Sequence, residues 1–348
     1  MKKTLVFLSV AALAFSCNSG NEGNLENGNN NSGNRQETKP QTSPYSQRIK
    51  ENPNDPQAYY ERAKFRIEQG KFGEATADLD KAVSLDSLNP EYYLARGEAY
   101  YSINKSREAR DNWKRCVTLD PNSLDCHLKL AQLFMLVESV NESFDHIEKA
   151  LELDPTNAEA YFIGGMNYRS LKDTNLAIEY FQKSVDLDEN KLSASRTYEI
   201  LGVLYAAKGE DIALDYYQNA LNNDPDNTNI RYNIGVFYQD RQEFNKAIET
   251  YTGVLQINPQ HEPSLYSMGY LHLELGENQK AVEYFTRAVS ADPEYIQAWY
   301  ARGVAFEKMG DVERAKESYR RALKILNTFQ PAIDGLYRLE AGEAATAN

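Results

Sequence analysis

The chain has 348 residues, 41% of them hydrophobic, and carries 51 acidic against 38 basic side chains for a formal net charge of −13. Its Lys and Arg are scattered rather than clustered, which argues against a nucleic-acid partner, because phosphate binding needs a dense basic face. The 24 tyrosines are the compositional feature that a fold has to explain.

The chain opens with MKKTLVFLSVAALAFSC, in which Lys2 and Lys3 precede an apolar run of 11 residues from Leu5 to Phe15. That run is too short to span a bilayer as a helix. Its layout is that of a secretory signal peptide over residues 1–16. The closing LAFSC resembles a bacterial lipobox, which implies lipid attachment to Cys17 as the first mature residue. Phe15 departs from the strictest form of that motif, so an ordinary signal-peptidase site remains the alternative. Residues 17–44 are almost wholly Asn, Gly, Ser and other polar types, too poor in apolar groups to fold and suited to a flexible tether. Asn18 stands where some bacterial lipoproteins carry the Asp that retains them at the inner membrane. The resemblance therefore implies a lipid-anchored protein of the bacterial envelope, with the outer membrane favoured and its periplasmic face ahead of the cell surface. YSQRIKENPND, at 45–55, reads as a partial helix.

From residue 56 to 327 the sequence repeats. Ala75 and Ala109 are 34 residues apart, as are Ala213 and Ala247, Ala247 and Ala281, and Ala281 and Ala315; Ala177 belongs to the same column and Ser143 fills its one vacancy. A fixed period in the range of roughly 20–50 residues signals a solenoid. Small residues recur at Ala63, Gly97, Ala131, Gly165, Gly202, Gly235, Gly269 and Gly303. Large ones recur at Leu79, Trp113, Ile147, Phe181, Tyr217, Tyr251, Phe285 and Tyr319. Antiparallel helices approach closely only where a side chain is absent or tiny, and the large column fills the space beside that contact. Prolines at 121, 155, 225, 259 and 293 close units, because Pro disfavours a helical residue before it and cannot donate a backbone hydrogen bond.

These columns and the 34-residue period resemble the tetratricopeptide repeat (TPR) family. The resemblance implies an all-α fold, an α-α superhelix (solenoid) of about eight TPR helical hairpins plus a C-terminal cap helix, since one hairpin cannot bury its apolar face alone. The cap is expected over 328–341 and a disordered tail over 342–348. Ser87, Glu189 and Asn327 replace the closing Pro, three extra residues (Leu192 to Ala194) precede the fifth unit, and its turn KGEDIA is one residue short. A local change of superhelical twist is expected there.

No catalytic constellation stands out: there is no His-x-x-x-His, phosphate-binding glycine loop or nucleophile elbow. The acidic residues at the Asp–Pro turns lack the alternating ligand spacing of a calcium loop; they are expected to end one helix and cap the next. His127 and His272 fall in buried columns, His146 on a helix surface and His261 in a turn, so the four are expected not to pair. No enzyme, metal or cofactor is read from the sequence. Cys116 and Cys126 lie five residues either side of Pro121, facing across a turn between units. An exported chain lives where disulfides persist, so a bond between them stands beside the alternative that both substitute for buried Ala. A Cα separation above about 7 Å would forbid the bond.

In the TPR family the first helix of each unit lines the concave groove. Residues three before, one after and four after the small column share one stripe. From unit four onward that stripe reads Phe162, Met166, Glu199, Val203, Tyr232, Val236, Tyr266, Tyr270, Tyr300 and Val304, mostly aromatic and aliphatic, with Arg169, Gln239, Glu307 and Lys308 at its margin. The Lys, Asn and Arg set with which some family members grip a C-terminal carboxylate is missing. An apolar trough with tyrosines suits an amphipathic helix or extended segment of a partner protein. The expected function is an envelope scaffold that binds proteins or peptides in this groove; homo-oligomerisation through an uncapped end is a further reading. The alternative is a glycan- or peptidoglycan-binding lipoprotein that stacks sugars on Tyr266, Tyr270 and Tyr300.

Overall fold

A computed structural model describes residues 44–188 and 194–346, and among these every regular element is a helix. The signal peptide, Cys17 and most of the insertion before the fifth unit lie outside the described residues. A short α1 (Pro44–Glu51) precedes eight helical hairpins. They are α2 (Pro56–Glu68) with α3 (Phe72–Leu85), α4 (Pro90–Ser102) with α5 (Ser106–Leu119), α6 (Leu124–Leu136) with α7 (Val140–Leu153), and α8 (Ala158–Ser170) with α9 (Thr174–Leu187). After these come α10 (Ser195–Ala207) with α11 (Ile212–Leu221), α12 (Thr228–Asp240) with α13 (Phe244–Ile257), α14 (Glu262–Glu274) with α15 (Asn278–Ala291), and α16 (Ile296–Lys308) with α17 (Val312–Ile325). A final α18 covers Gln330–Thr346. Each helix packs mainly on its hairpin partner and on the next hairpin, and first helices such as α2 and α4, or α14 and α16, also touch one another. That is the one-dimensional stacking of an α-α solenoid.

The small and large columns meet inside each hairpin, and their sizes are matched pair by pair. Where the first helix has Ala63 or Ala131, the second carries aliphatic Leu79 or Ile147. Where the first helix has Gly97, Gly165, Gly202, Gly235, Gly269 or Gly303, the second carries an aromatic ring that lies on that glycine. A Cβ on Gly165 would come within 2.7 Å of the Phe181 ring, and one on Gly269 within 2.7 Å of Phe285. The rings themselves are buried, and Phe181, Tyr251, Phe285 and Tyr319 are fully so, each contributing about 2–3 kcal/mol from apolar burial. Ser143, the vacancy in the alanine column, is satisfied in the interior: its hydroxyl donates to Ala131 O at 2.8 Å and accepts from Asn167 Nδ2 at 2.7 Å.

Both ends of each helix have local chemistry. The turn inside every hairpin places one residue at positive φ, seven positions after the small column: Gly70, Asn104, Glu138, Lys172, Gly209, Gln242, Gly276 and Gly310. Between hairpins, the residue that ends the second helix folds its side chain into the turn. Asp120 Oδ1 accepts from Asn122 N at 3.0 Å and Asp154 Oδ1 from Thr156 N at 3.0 Å. These aspartates therefore end a helix without capping the next one. The cap falls to a residue three positions on, as in Asn89 to Glu91 N at 3.0 Å and Asn157 to Ala160 N at 2.9 Å, because only there does the side chain face the free amides of the first turn.

Two further departures concern the ends of elements. In the fifth hairpin the second helix starts later, at Ile212, and ends earlier, at Leu221, so α11 has 10 residues where the other seven second helices have 14. At the C-terminus α18 continues to Thr346, beyond the expected start of a tail at Gly342. Glu343, Ala344 and Ala345 are good helix formers, and they outweigh the single glycine. The cap helix is fixed by Arg338, which gives Glu307 two hydrogen bonds of 2.8 and 2.9 Å, and by Gly335, which lies against the Tyr319 ring.

Candidate functional site

In hairpins six to eight the groove stripe has a tyrosine at its central position. Tyr232, Tyr266 and Tyr300 follow one another at 34-residue intervals on α12, α14 and α16. Each ring leans on the large residue of its own hairpin: Tyr232 on Tyr251 at 5.6 Å, Tyr266 on Phe285 at 5.7 Å and Tyr300 on Tyr319 at 5.7 Å between centroids. A second ring braces each from the turn that follows, His261 at 5.6 Å, Tyr295 at 5.2 Å and Phe329 at 5.8 Å. These bracing residues occupy the position that holds helix-capping Asp55, Asn89, Asn157 and Asn227 in other hairpins. Sequence reasoning missed them, although an aromatic in a column of caps was a visible signal. His261 still caps through Nδ1, which accepts from Ser264 N at 3.3 Å, whereas Tyr295 makes no side-chain cap bond.

The stripe is half-buried: Tyr232, Val236, Tyr266, Tyr270, Tyr300 and Val304 are all partly exposed. Burial pushes the Tyr266 phenol up to about 12, with Tyr270, Tyr232 and Tyr300 adding to the shift. Burial also raises Tyr232, Tyr270 and Tyr300; a hydrogen bond with Ser267 opposes it at Tyr232, Glu274 reinforces it at Tyr270, and Arg338 opposes it at Tyr300. The stripe therefore presents neutral hydroxyls that can donate or accept beside apolar ring faces.

The structure redistributes several other expected residues. Met166 is only 7% exposed and packs with Phe181 and Ile178 in the core, because the hairpin four helices close over it. Phe162 stays half-buried and is covered by the Arg196 guanidinium, 5.7 Å from its centroid. The Arg169 side chain has no hydrogen-bond or ion-pair partner among the described residues, and burial, then Arg196, lowers its pKa. Two marginal residues are structural: Gln239 accepts from Tyr251 Oη at 3.0 Å, and Glu307 from Tyr319 Oη at 2.7 Å. They satisfy phenols that the large column buries.

Two of the four histidines do pair. His127 Nδ1 and His146 Nδ1 are 3.0 Å apart, and His127 Nε2 donates to Pro121 O at 3.1 Å. The expectation failed because residues 19 apart on α6 and α7 face each other only once the hairpin closes. Burial first, then His127, push the His146 pKa down to about 4. Beside this pair, Cys116 and Cys126 are joined in a disulfide with Cα atoms 6.3 Å apart, linking α5 to α6. Among the described residues no three His, Cys, Asp or Glu side chains cluster to hold a metal ion, and no helix is long and apolar enough to cross a membrane.

Chains of solved structures that match this fold number 416. One, described as the crystal structure of YrrB, a TPR protein with an unusual peptide-binding site, is 24% identical with a TM-score of 0.47, covering 54% of this chain and 96% of that one. Another, the crystal structure of the APC/C hetero-tetramer Cut9–Hcn1, is 15% identical with a TM-score of 0.49; it covers 85% of this chain, which spans 57% of the Cut9–Hcn1 chain. No curated protein matches the sequence. Family models described as a tetratricopeptide repeat match residues 266–328 and, separately, 90–123, 158–191 and 228–261, and one described as a TPR repeat matches residues 66–104. Those segments cover more than half of the chain and carry the small and large columns that the structure brings face to face. The chain belongs to the tetratricopeptide repeat family.

Proposed function

We propose that this protein is a non-catalytic docking scaffold, anchored in a bacterial envelope by lipid on Cys17, that holds a segment of a partner protein along its inner aromatic stripe. The observation that carries the reading is the run Tyr232, Tyr266 and Tyr300, repeated once per hairpin and braced on both sides by further rings. Rings already held in place lose little side-chain freedom when a ligand covers them, so their apolar area converts efficiently into affinity. Phenols that stay neutral supply hydrogen bonds at the same spacing, which suits an amphipathic helix or extended strand. The anchoring half of the reading is supported by the signal-like run ending at Cys17 and the polar segment after it.

The test is quantitative co-purification from solubilised envelopes, comparing wild type with Tyr266→Ala/Tyr270→Ala/Tyr300→Ala. Selective loss of one or a few envelope proteins is expected from a variant whose circular dichroism is unchanged. An unchanged or empty partner list refutes protein docking in the groove, and binding of soluble peptidoglycan fragments by wild type alone would replace it with the glycan reading. Incorporation of labelled palmitate that disappears in Cys17→Ala checks the anchor separately.

A further inference from the structure

Two arginines on the inner surface of hairpins four and five sit where the fold itself prefers other residues. Arg169, four residues after Gly165, is half-buried on α8 at the margin of the stripe. The same position holds Ile67, Met135 and Leu273 where the large residue is Leu79, Ile147 or Phe285. In hairpins six and eight it holds Gln239 and Glu307, which accept from the hydroxyls of Tyr251 and Tyr319. Hairpin four has Phe181, which offers no hydroxyl, so an apolar residue such as the buried Leu273 of hairpin seven would complete the packing. Among the described residues the other half-buried arginines, Arg62, Arg66, Arg96, Arg110, Arg231 and Arg302, all donate side-chain hydrogen bonds. Arg169 donates none, although a half-buried guanidinium without an acceptor is costly.

Arg196 is the second residue of α10, six before Gly202. At the same position the other first helices carry Gln57, Glu91, Asp125, Glu159, Asn229, Pro263 or Gln297, none of them cationic. Carboxylates suit the first turn of a helix, and a cation there opposes the macrodipole. The Arg196 guanidinium lies 5.7 Å from the Phe162 centroid and has no hydrogen-bond or ion-pair partner among the described residues. It is close enough to Arg169 to add to the lowering that burial imposes on that group. Glu199, three residues after Arg196, forms an ion pair with neither arginine; burial raises its pKa, and the attraction of Arg196 offsets that only in part. In a chain with 51 acidic against 38 basic side chains, two neighbouring guanidiniums thus stand without a carboxylate between them.

We propose that Arg169 and Arg196 together hold the carboxylate of an aspartate or glutamate side chain in the segment that docks in the groove, with the Phe162 ring against its methylenes. The planar guanidinium fork matches a carboxylate better than any other group of either arginine's size and charge. The inference rests on the docking reading above and adds to it a charge requirement and a register: the acid sits at hairpins four and five, and the apolar anchors lie toward Tyr232, Tyr266 and Tyr300. First helices continue on both sides of the pair, from α8 back to α2 and from α10 on to α16, which suits a segment that passes through rather than one that ends there.

The experiment selects binders of the full chain from a display library of random linear peptides. Enriched peptides should share an Asp or Glu at a fixed distance from apolar residues. One of them, synthesised with an amidated C-terminus, should lose at least about tenfold in affinity when that acid becomes its amide, the value of a charge-assisted hydrogen bond. Arg169→Leu/Arg196→Gln, which installs residue types that other hairpins carry at these positions, should bind the acidic and the amide peptide alike and unfold at no lower temperature than wild type. Tyr266→Ala/Tyr270→Ala/Tyr300→Ala should weaken both peptides. Binding through those tyrosines with no acidic position, or an acidic preference that survives in the arginine variant, overturns the proposal and leaves the docking reading standing. A library without binders, or binders indifferent to the tyrosine variant, removes the docking reading and this inference with it. Loss of binding on amidation of the C-terminus assigns the pair to a chain terminus and overturns the side-chain assignment. A lower melting temperature for the arginine variant shows that the pair serves the fold, and likewise overturns the proposal.

Discussion

Gly165 and Phe181 show how a single missing methyl determines a hairpin. The ring rests where a Cβ would lie, so Gly165→Ala forces the helices apart or the ring off its rotamer, at a cost of about 1–3 kcal/mol. Hairpins with Ala63 opposite Leu79, or Ala131 opposite Ile147, indicate the remedy. Phe181→Leu in the Gly165→Ala background should recover much of the loss, although Phe181→Leu alone leaves a void and destabilises. Denaturant unfolding of the four proteins in this cycle measures the coupling. A neutral single variant, or a double variant no more stable than Gly165→Ala, would sink the size-matching account. Both columns were legible in the sequence by their period, but their partnership was not, since it required knowing which faces meet.

At the scale of the element, every hairpin turn needs one residue with positive φ, and four of the eight use something other than glycine. Left-handed backbone disfavours a Cβ, so Lys172→Gly, at φ 61°, should stabilise the protein by about 1 kcal/mol despite the greater chain entropy of glycine. A lowered melting temperature for Lys172→Gly would show that the lysine side chain contributes more than its backbone costs. The α6–α7 hairpin is held partly by its histidine pair. His127 uses Nε2–H on Pro121 O, which leaves its Nδ1 to accept from His146. Protonation of His146 places a cation on a half-buried ring against His127, and burial disfavours that charge. Because the His146 pKa lies near 4 when folded against 6.5 unfolded, the unfolded chain takes up protons more readily between those values. Its stability contribution is complete above the unfolded value, falls as pH drops through that window, and levels off near the folded value. Urea unfolding at neutral pH and inside the window should show a larger loss for wild type than for His146→Gln. Equal losses would remove the pair as the cause.

Across the eight stacked hairpins, the distribution of residues that differ matters more than the repeat they share. The inner stripe turns aromatic toward α12, α14 and α16, and the bracing rings of His261, Tyr295 and Phe329 replace caps in the same region. The sequence by itself determined the helical periodicity, the hairpin boundaries to within a few residues, the small and large columns and the approach of Cys116 to Cys126, because all of these depend on local spacing repeated many times. Only the tertiary structure decided that Met166 is core, that Gln239 and Glu307 serve buried phenols, and that His127 meets His146. Those outcomes depend on which side chains two or three separate helices bring to one point, and no single helix carries that information.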